Sequence, residues 1–314
     1  MKILVTGGAG FIASHIVDAY VDAGYQVVVV DNLSTGNINN LNSKAKFYEI
    51  DITNPDLEKI FKSERPDFVN HHAAQISVPV STQKPIFDAQ INILGTLNIL
   101  QNAVKYKVKK IIFASTGGAI YGDAEEYPTS ENYVPSPVSP YAIAKLTVEK
   151  YLHYYNYQFG LKYLALRYSN VFGPRQIPHG EAGVVSIFIE NILRKESSNL
   201  YSFPNKPDGM IRDYVFVGDV VDANLLGLKI GNNDIINIAT NKETSTVQLY
   251  NQIAEILNSD ITFKRGDSRA GDIRRSCLDI SKAKKILNWS PKTELKKGII
   301  LTIKFFENKM KEMK

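Results

Sequence analysis

The chain opens on KILVT (residues 2–6), a short apolar run, followed at once by Gly7-Gly8-Ala9-Gly10 and then by helical periodicity from Phe11 to Ala23. Short apolar runs bounded by glycines read as buried parallel strands. A strand that turns sharply into a helix is one unit of an alternating sheet, and the rest of the first half keeps that rhythm. QVVVVD closes on Asp31, and KFYEID (46–51), DFVNH (67–71), KKIIFAS (109–115) and LKYLALRY (161–168) read as further strands. Helices are expected from Asn54-Pro55 through Lys62, over about 82–105, and from Pro140 to about Phe159. The fold class is therefore α/β, a doubly wound parallel Rossmann sheet that takes ligands at the carboxyl ends of its strands.

After Asn170 the rhythm breaks. GPRQIPHGEAG and KPDGMIRD read as loops around a helix at about 184–195, while DYVFV (213–217), the Asp219–Ile230 helix and IINIA (235–239) read as a return to the main sheet. Beyond about 240 come a helix (246–257), a short strand and two more helices. The expected division is 1–170 plus about 213–240 for the sheet, with about 171–212 plus 241–314 forming a second, smaller α/β domain.

The glycine turn has a chemical reading. Gly7 permits the tight turn, and Gly10 lets backbone approach a pyrophosphate on the helix N-terminus, where N–H groups point outward. Ala13 stands where the third glycine of the motif falls, and a methyl is still small enough for close helix–strand packing. Asp31 ends the second strand, where a carboxylate can accept the ribose hydroxyls of an adenosine and repel a 2′-phosphate. The residues that follow, Asn32-Leu33-Ser34-Thr35-Gly36-Asn37, carry no Arg or Lys, which favours NAD over NADP. Asp51-Ile52 could flank the adenine amino group.

A second constellation sits further along. The strand 109–115 runs into Ser115-Thr116-Gly117-Gly118, and hydroxyls at a strand end face the ligand side. Tyr141 and Lys145 follow in SPYAIAKLTVEKYL, four residues apart and so on one helix face. An ammonium favours a nearby phenolate, and a tyrosine tuned that way can act as a base.

Composition excludes several classes. A net charge of +5 with no basic run interleaved with aromatics does not suit nucleic-acid binding. No apolar stretch reaches the ~20 residues that span a bilayer. Met1-Lys2 leads straight into a strand, so no signal peptide is expected. Cys277 is the single cysteine, so no intrachain disulfide is available and a cytoplasmic setting fits. His71 and His72 are adjacent on a strand and diverge, while His15, His153 and His179 show no ligand spacing, so no metal is expected.

TGGAGFIAS, DNLSTGN, HHAAQISVPVS, STGGAIYGD, SPYAIAK, RYSNVFGPRQ, GMIRDYVFVGDVV and RAGDIRRSCLDISKAKKILNW occur in this order. Together they resemble the extended short-chain dehydrogenase/reductases, and among these the UDP-glucose (UDP-galactose) 4-epimerases. The resemblance implies NAD-dependent inversion at C4 of a UDP-hexose through a transient 4-keto sugar, an isomerase reaction of galactose metabolism. It makes Tyr141 the base and Lys145 the residue that holds the nicotinamide ribose and lowers the tyrosine pKa. The third hydroxyl is Thr116 or Ser115, because Gly117 stands where some epimerases carry it. Phe11, Ile12, Asn32, Ser34, Thr35, Gly36, Ala73, Ala74 and Gln75 fall beside the dinucleotide. Ser77, Thr116, Asn170 and Asp272 fall beside the nucleotide sugar, with Arg212 and Arg269 clamping its phosphates. Ser276 falls near the sugar, where a small side chain leaves room for an N-acetyl group. A homodimer through a four-helix bundle is also implied, formed by the helices at about 82–105 and 141–159. Ile91, Leu94, Leu97 and Leu152 could serve that seam or the core. The competing readings are a nucleotide-sugar 4,6-dehydratase, against which Gly117-Gly118 argue, and a non-catalytic NAD-binding sensor.

Overall fold

The computed structural model describes residues 1–178, 183–269 and 271–312. His179 lies outside the described residues. The first half alternates as expected. Strands β1 (Lys2–Thr6), β2 (Gln26–Asp31), β3 (Lys46–Glu49), β4 (Phe68–His71), β5 (Lys110–Thr116) and β6 (Lys162–Tyr168) are separated by helices. These are α1 (Phe11–Asp22), α2 (Leu57–Glu64), α3 (Val78–Gln83), α4 (Pro85–Ala89), α5 (Thr96–Lys105), the single turn α6 (Gly117–Ile120) and α7 (Pro140–Phe159). The second half carries the short strands β7 (Asn170–Phe172), β8 (Asn199–Ser202), β9 (Ile211–Arg212) and β10 (Tyr214–Phe216), then β11 (Asp234–Ile238), β12 (Thr244–Ser245) and β13 (Lys264–Asp267). Its helices are α8 (Val184–Leu193), α9 (Val217–Gly227), α10 (Thr246–Ile256), α11 (Ser281–Leu287) and α12 (Leu295–Glu312).

Seven strands form one parallel sheet in the order β11-β6-β5-β4-β1-β2-β3. The chain winds outward from β1 in one direction and then from β4 in the other. The carboxyl ends of β1 and β4 therefore flank the crevice where such sheets take ligands. Strand residues alternate between two cores. Ile3, Val5, Val27 and Val29 pack with Ile16 and Val17 of α1 and with Val220 and Ala223 of α9. Leu4, Val28 and Val30 pack with Phe61 of α2, Leu100 of α5 and Val148 of α7. A third core lies outside the sheet. It joins Phe188 and Ile189 of α8, Leu249 and Ile253 of α10, and Ile299 and Ile303 of α12 to Phe172 and Tyr214.

Two expectations differ. The helix over about 82–105 begins earlier and is broken. Pro85 starts α4 rather than extending α3, since proline offers no N–H to the preceding turn, and a π-helical segment, Gln90–Gly95, joins α4 to α5. DYVFV does not return to the main sheet: β10 pairs in parallel with β7, Tyr214 opposite Asn170, because β11 already covers the free edge of β6. Within 241–314, Leu278, Ile280, Ala283, Leu287 and Trp289 pack into the first core of the main sheet, while Leu249, Ile253, Ile299 and Ile303 pack into the third. Of the four apolar residues left open, Leu152 is core, Ile91 and Leu97 pack against it, and Leu94 points outward, 57% exposed.

Candidate active site

Two cavities meet at the carboxyl edge of the sheet. Tyr141, Ile76 and Gly183 line both of them. The first runs from the β1–α1 turn to α7. Gly7, Gly10, Phe11 and Ile12 form its floor, and Asp31, Asn32, Ser34, Thr35 and Gly36 border it from the loop after β2. Asp51, Ile52, Ala73, Ala74, Ser115 and Lys145 lie on its wall. Gly7 has φ +71°, and a Cβ there would lie 2.7 Å from Ala73 N. Only glycine permits this turn to press so close to the loop after β4. The first N–H groups of α1 have no intrahelical partners, and its first turn holds no acid, so this end suits an anion.

Asp31 is 7% exposed. Its Oδ2 accepts from Ala9 N at 3.0 Å and its Oδ1 from Leu33 N at 2.8 Å, which locks the carboxylate in place with further lone pairs free. Burial alone would raise the Asp51 carboxyl, but hydrogen bonds from Thr53 and Asn32 hold it below its ordinary value. These donors and acceptors fit a dinucleotide with free adenosine ribose hydroxyls. Gln75 does not line either cavity. Its Nε2 donates to Asp88 Oδ1 (2.7 Å) and Ser77 O (3.0 Å), and its Oε1 accepts from Ser77 N, so it braces the loop from behind.

The second cavity lies between the sheet edge and the third core. Ser77, Thr116, Asn170, Arg212, Arg269 and Asp272 all line it. Arg269 N donates to Asp272 Oδ2 at 2.8 Å, and its guanidinium sits 4.3 Å from the Tyr201 ring. Arg212 is fixed by a bond from Nη1 to Ile211 O (2.9 Å), and burial lowers its pKa, a cost that a bound anion would relieve. Asn170 Oδ1 is buried without a hydrogen-bond partner among the described residues. Ser276 lines neither cavity; it is 6% exposed and its N–H is tied to Ile211 O.

At the junction the two hydroxyls separate. Ser115 Oγ donates to Glu149 Oε1 at 2.6 Å, and Glu149 is clamped by Arg167 at 2.6 and 2.9 Å. Ser115 is therefore committed to a buried ion pair, whereas Thr116 opens onto the second cavity with Tyr141. Lys145 is 4% exposed, donates to Ala114 O (2.9 Å), and lies 4.7 Å from the Phe113 ring and 5.8 Å from the Tyr141 ring. Burial pushes its ammonium down to about 8 against the attraction of Asp88 and Glu149. Tyr141 departs from expectation: burial, then Asp88, pushes its phenol up rather than down. The carbonyl of Ala114 and the face of Phe113 hold Lys145, so the protein alone does not tune the tyrosine toward phenolate.

Several lining residues are given no role by the sequence motifs. His72 and Tyr168 line the first cavity, and Phe188, Tyr201, Tyr214 and Thr246 the second. The two adjacent histidines do diverge. His71 bonds Thr6 (2.7 Å) and Thr96 (2.9 Å), while His72 bonds Tyr168 (3.1 Å). No group of three or more metal-ligating side chains is placed to hold an ion among the described residues.

The model of the NAD-dependent epimerase/dehydratase family matches residues 3–239. The structure of a UDP-glucose 4-epimerase from Thermotoga maritima, with UDP-glucose, is 48% identical with a TM-score of 0.96, covering 99% of this chain and 100% of that one. A Thermus thermophilus UDP-glucose 4-epimerase in complex with NAD is 42% identical, TM-score 0.94, covering 98% and 99%. A UDP-N-acetylglucosamine 4-epimerase from Methanobrevibacter ruminantium, in complex with UDP-N-acetylmuramic acid, is 38% identical, TM-score 0.91, covering 98% and 99%.

Proposed function

The chain belongs to the NAD-dependent epimerase/dehydratase family, and from that premise we propose that it inverts C4 of a UDP-hexose, interconverting UDP-glucose and UDP-galactose. The observation that carries the reading is the place of Tyr141, which faces the first cavity and the second at once. Its cofactor is NAD, which when bound supplies an acceptor that takes a hydride and gives it back, so the reaction is redox-neutral.

The chain's own residues do the rest. Asp31 receives the adenosine ribose, and the N-terminus of α1 receives the pyrophosphate. The Tyr141 oxygen takes the proton of the sugar 4-hydroxyl and returns it after the sugar has turned. Its buried phenol gives up a proton only when cations stand beside it, so the site waits for its ligands. Thr116 donates to the same sugar oxygen, and Ser115, through Glu149, keeps the strand end in place. Arg212 and Arg269 hold the diphosphate by their forked donors while the sugar swings, so remote binding serves the chemistry at C4. The sheet unit, including residues 278–289, is the proposed dinucleotide half, and the unit around the third core the nucleotide-sugar half.

The same site is proposed to accept N-acetyl sugars. The likeness to the M. ruminantium enzyme supports this; Ser276, set back from the cavity, does not. A homodimer is proposed through α4, α5 and α7, supported by exposed Ile86 (75%), Phe87 (45%), Leu94 (57%) and Ile143 (50%) on those helices and the segment between them. None of the described helices is long and apolar enough to cross a membrane, and the cytoplasm is the proposed compartment. Incubation with a panel of nucleotide sugars, followed by NMR, tests the assignment. Interconversion of UDP-glucose and UDP-galactose is expected. A product lighter by one water would replace it with a 4,6-dehydratase, and bound NAD without turnover of any sugar with a sensor.

A further inference from the structure

Tyr141 and Thr116 have to meet at one sugar oxygen, yet they come from different elements, α7 and β5. The side chain that ties these elements together is Glu149. Tyr141, Lys145 and Glu149 are spaced four residues apart and so form one stripe of α7. Lys145 Nζ donates to Ala114 O (2.9 Å), and one turn further on Glu149 Oε1 accepts from Ser115 Oγ (2.6 Å), the residue before Thr116. Arg167 grips the same carboxylate with a fork, Nε to Oε1 at 2.9 Å and Nη2 to Oε2 at 2.6 Å. Its Nη1 donates to Tyr121 Oη (2.8 Å), which donates in turn to Asn237 Oδ1 (2.9 Å). Sheet register places these partners. Ser115, Arg167 and Asn237 stand side by side across β5, β6 and β11. They come two residues after Phe113, Ala165 and Ile235, which pack with Val148 and Leu152 of α7, so all three are on the face that α7 covers.

Glu149 and Arg167 are buried and line neither cavity. An apolar pair of similar volume would hold the fold as well, because buried charges lose in hydration about what they gain in attraction. Apolar contacts, however, have no direction. A forked, charge-assisted pair fixes the carboxylate in plane and position, and with it the rotation and height of α7. The fork on β6 holds Glu149 even without Ser115, since β5 and β6 are joined by backbone pairing.

We propose that Glu149, clamped by Arg167, is a positioning residue that sets α7 on the end of β5 so that Tyr141 and Thr116 reach the same sugar oxygen. The proposal rests on the reading of Tyr141 and Thr116 as the groups that act at the sugar 4-hydroxyl. A displacement of about 1 Å at a reacting group can lower a rate on the order of 100-fold. Arg212 on β9 and Arg269 beyond β13 hold the diphosphate from other elements, so substrate binding does not depend on the pair.

The test is the Glu149→Leu/Arg167→Met double variant, with steady-state kinetics for UDP-glucose beside thermal unfolding. Removing both members leaves the summed charge near Lys145 unchanged, so a loss of rate reports position rather than field. The double variant is expected to stay folded, with kcat lower by about 100-fold and KM within about threefold of wild type. Glu149→Asp keeps both charges on a side chain one methylene shorter, and covers the case in which the double variant does not fold. Its kcat is expected to fall about tenfold at wild-type KM. A folded double variant with wild-type kcat, a loss carried by KM instead of kcat, or wild-type kcat in Glu149→Asp would overturn the inference. No turnover of UDP-glucose by the wild type would instead remove the reading on which it rests.

Discussion

Lys145→Met is expected to make the cofactor-free protein more stable while abolishing its activity. Burial brings the Lys145 ammonium from its ordinary 10.5 down to about 8, net of its attraction to Asp88 and Glu149. At about 1.4 kcal/mol per tenfold change, the charged form costs the fold roughly 3 kcal/mol. Below about pH 8 the lysine is charged in both folded and unfolded chains, so the whole cost is present. Between about 8 and 10.5 the folded protein sheds the proton first, the unfolded chain binds more protons, and stability rises with pH. Above that range the cost is gone. Methionine fills a similar volume without charge, and forfeits the bond to Ala114 O, worth about 1 kcal/mol. The net gain is about 2 kcal/mol near neutrality, shrinking toward zero at about pH 9.5. Urea unfolding of both proteins without cofactor, at those two pH values, measures it. A variant no more stable than wild type near neutrality, or a gap that ignores pH, would refute the reasoning that Lys145 is a charge buried for function.

Other consequences are as direct. Thr116→Val is expected to lower kcat about 100-fold with little change in stability, whereas Ser115→Ala should keep kcat within a few-fold and destabilise by about 2 kcal/mol, since Glu149 loses a charge-assisted donor. Steady-state kinetics beside thermal unfolding separates the two hydroxyls, and equal kinetic losses would contradict their division. Arg167→Met leaves Glu149 charged and buried and should destabilise by about 3–5 kcal/mol. Adding Glu149→Leu should recover much of that loss in thermal unfolding, because an apolar pair leaves no unpaired charge.

The parallel sheet was legible because its strands are buried on both faces and therefore run apolar without interruption, as in QVVVVD and KKIIFAS. The nucleotide end was legible because Gly7 and Asp31 act locally, through backbone geometry and a strand end. What escaped depends on partners far along the chain. Tyr214–Phe216 has the apolar pattern of a sheet strand, yet its neighbour β7 and the prior claim of β11 on β6 decide where it pairs. Ser276 follows a matching motif but turns into the protein, and no local signal distinguishes that from facing the sugar. Thr116 and Ser115 could be told apart only through Glu149, on a different helix. The four-residue spacing of Tyr141 and Lys145 placed both on one helix face, but burial and the nearby charge of Asp88 shift their protonation, and neither can be read from spacing.

The central claim is that Tyr141 serves a reversible oxidation at C4. Incubation with NAD+ and UDP-glucose carrying deuterium at C4 tests it, with the product read by NMR. UDP-galactose with the deuterium still at C4 is predicted, and Tyr141→Phe should form it at a rate lower by orders of magnitude. Deuterium lost to solvent or carried elsewhere on the sugar, or an unimpaired Tyr141→Phe protein, would contradict the account.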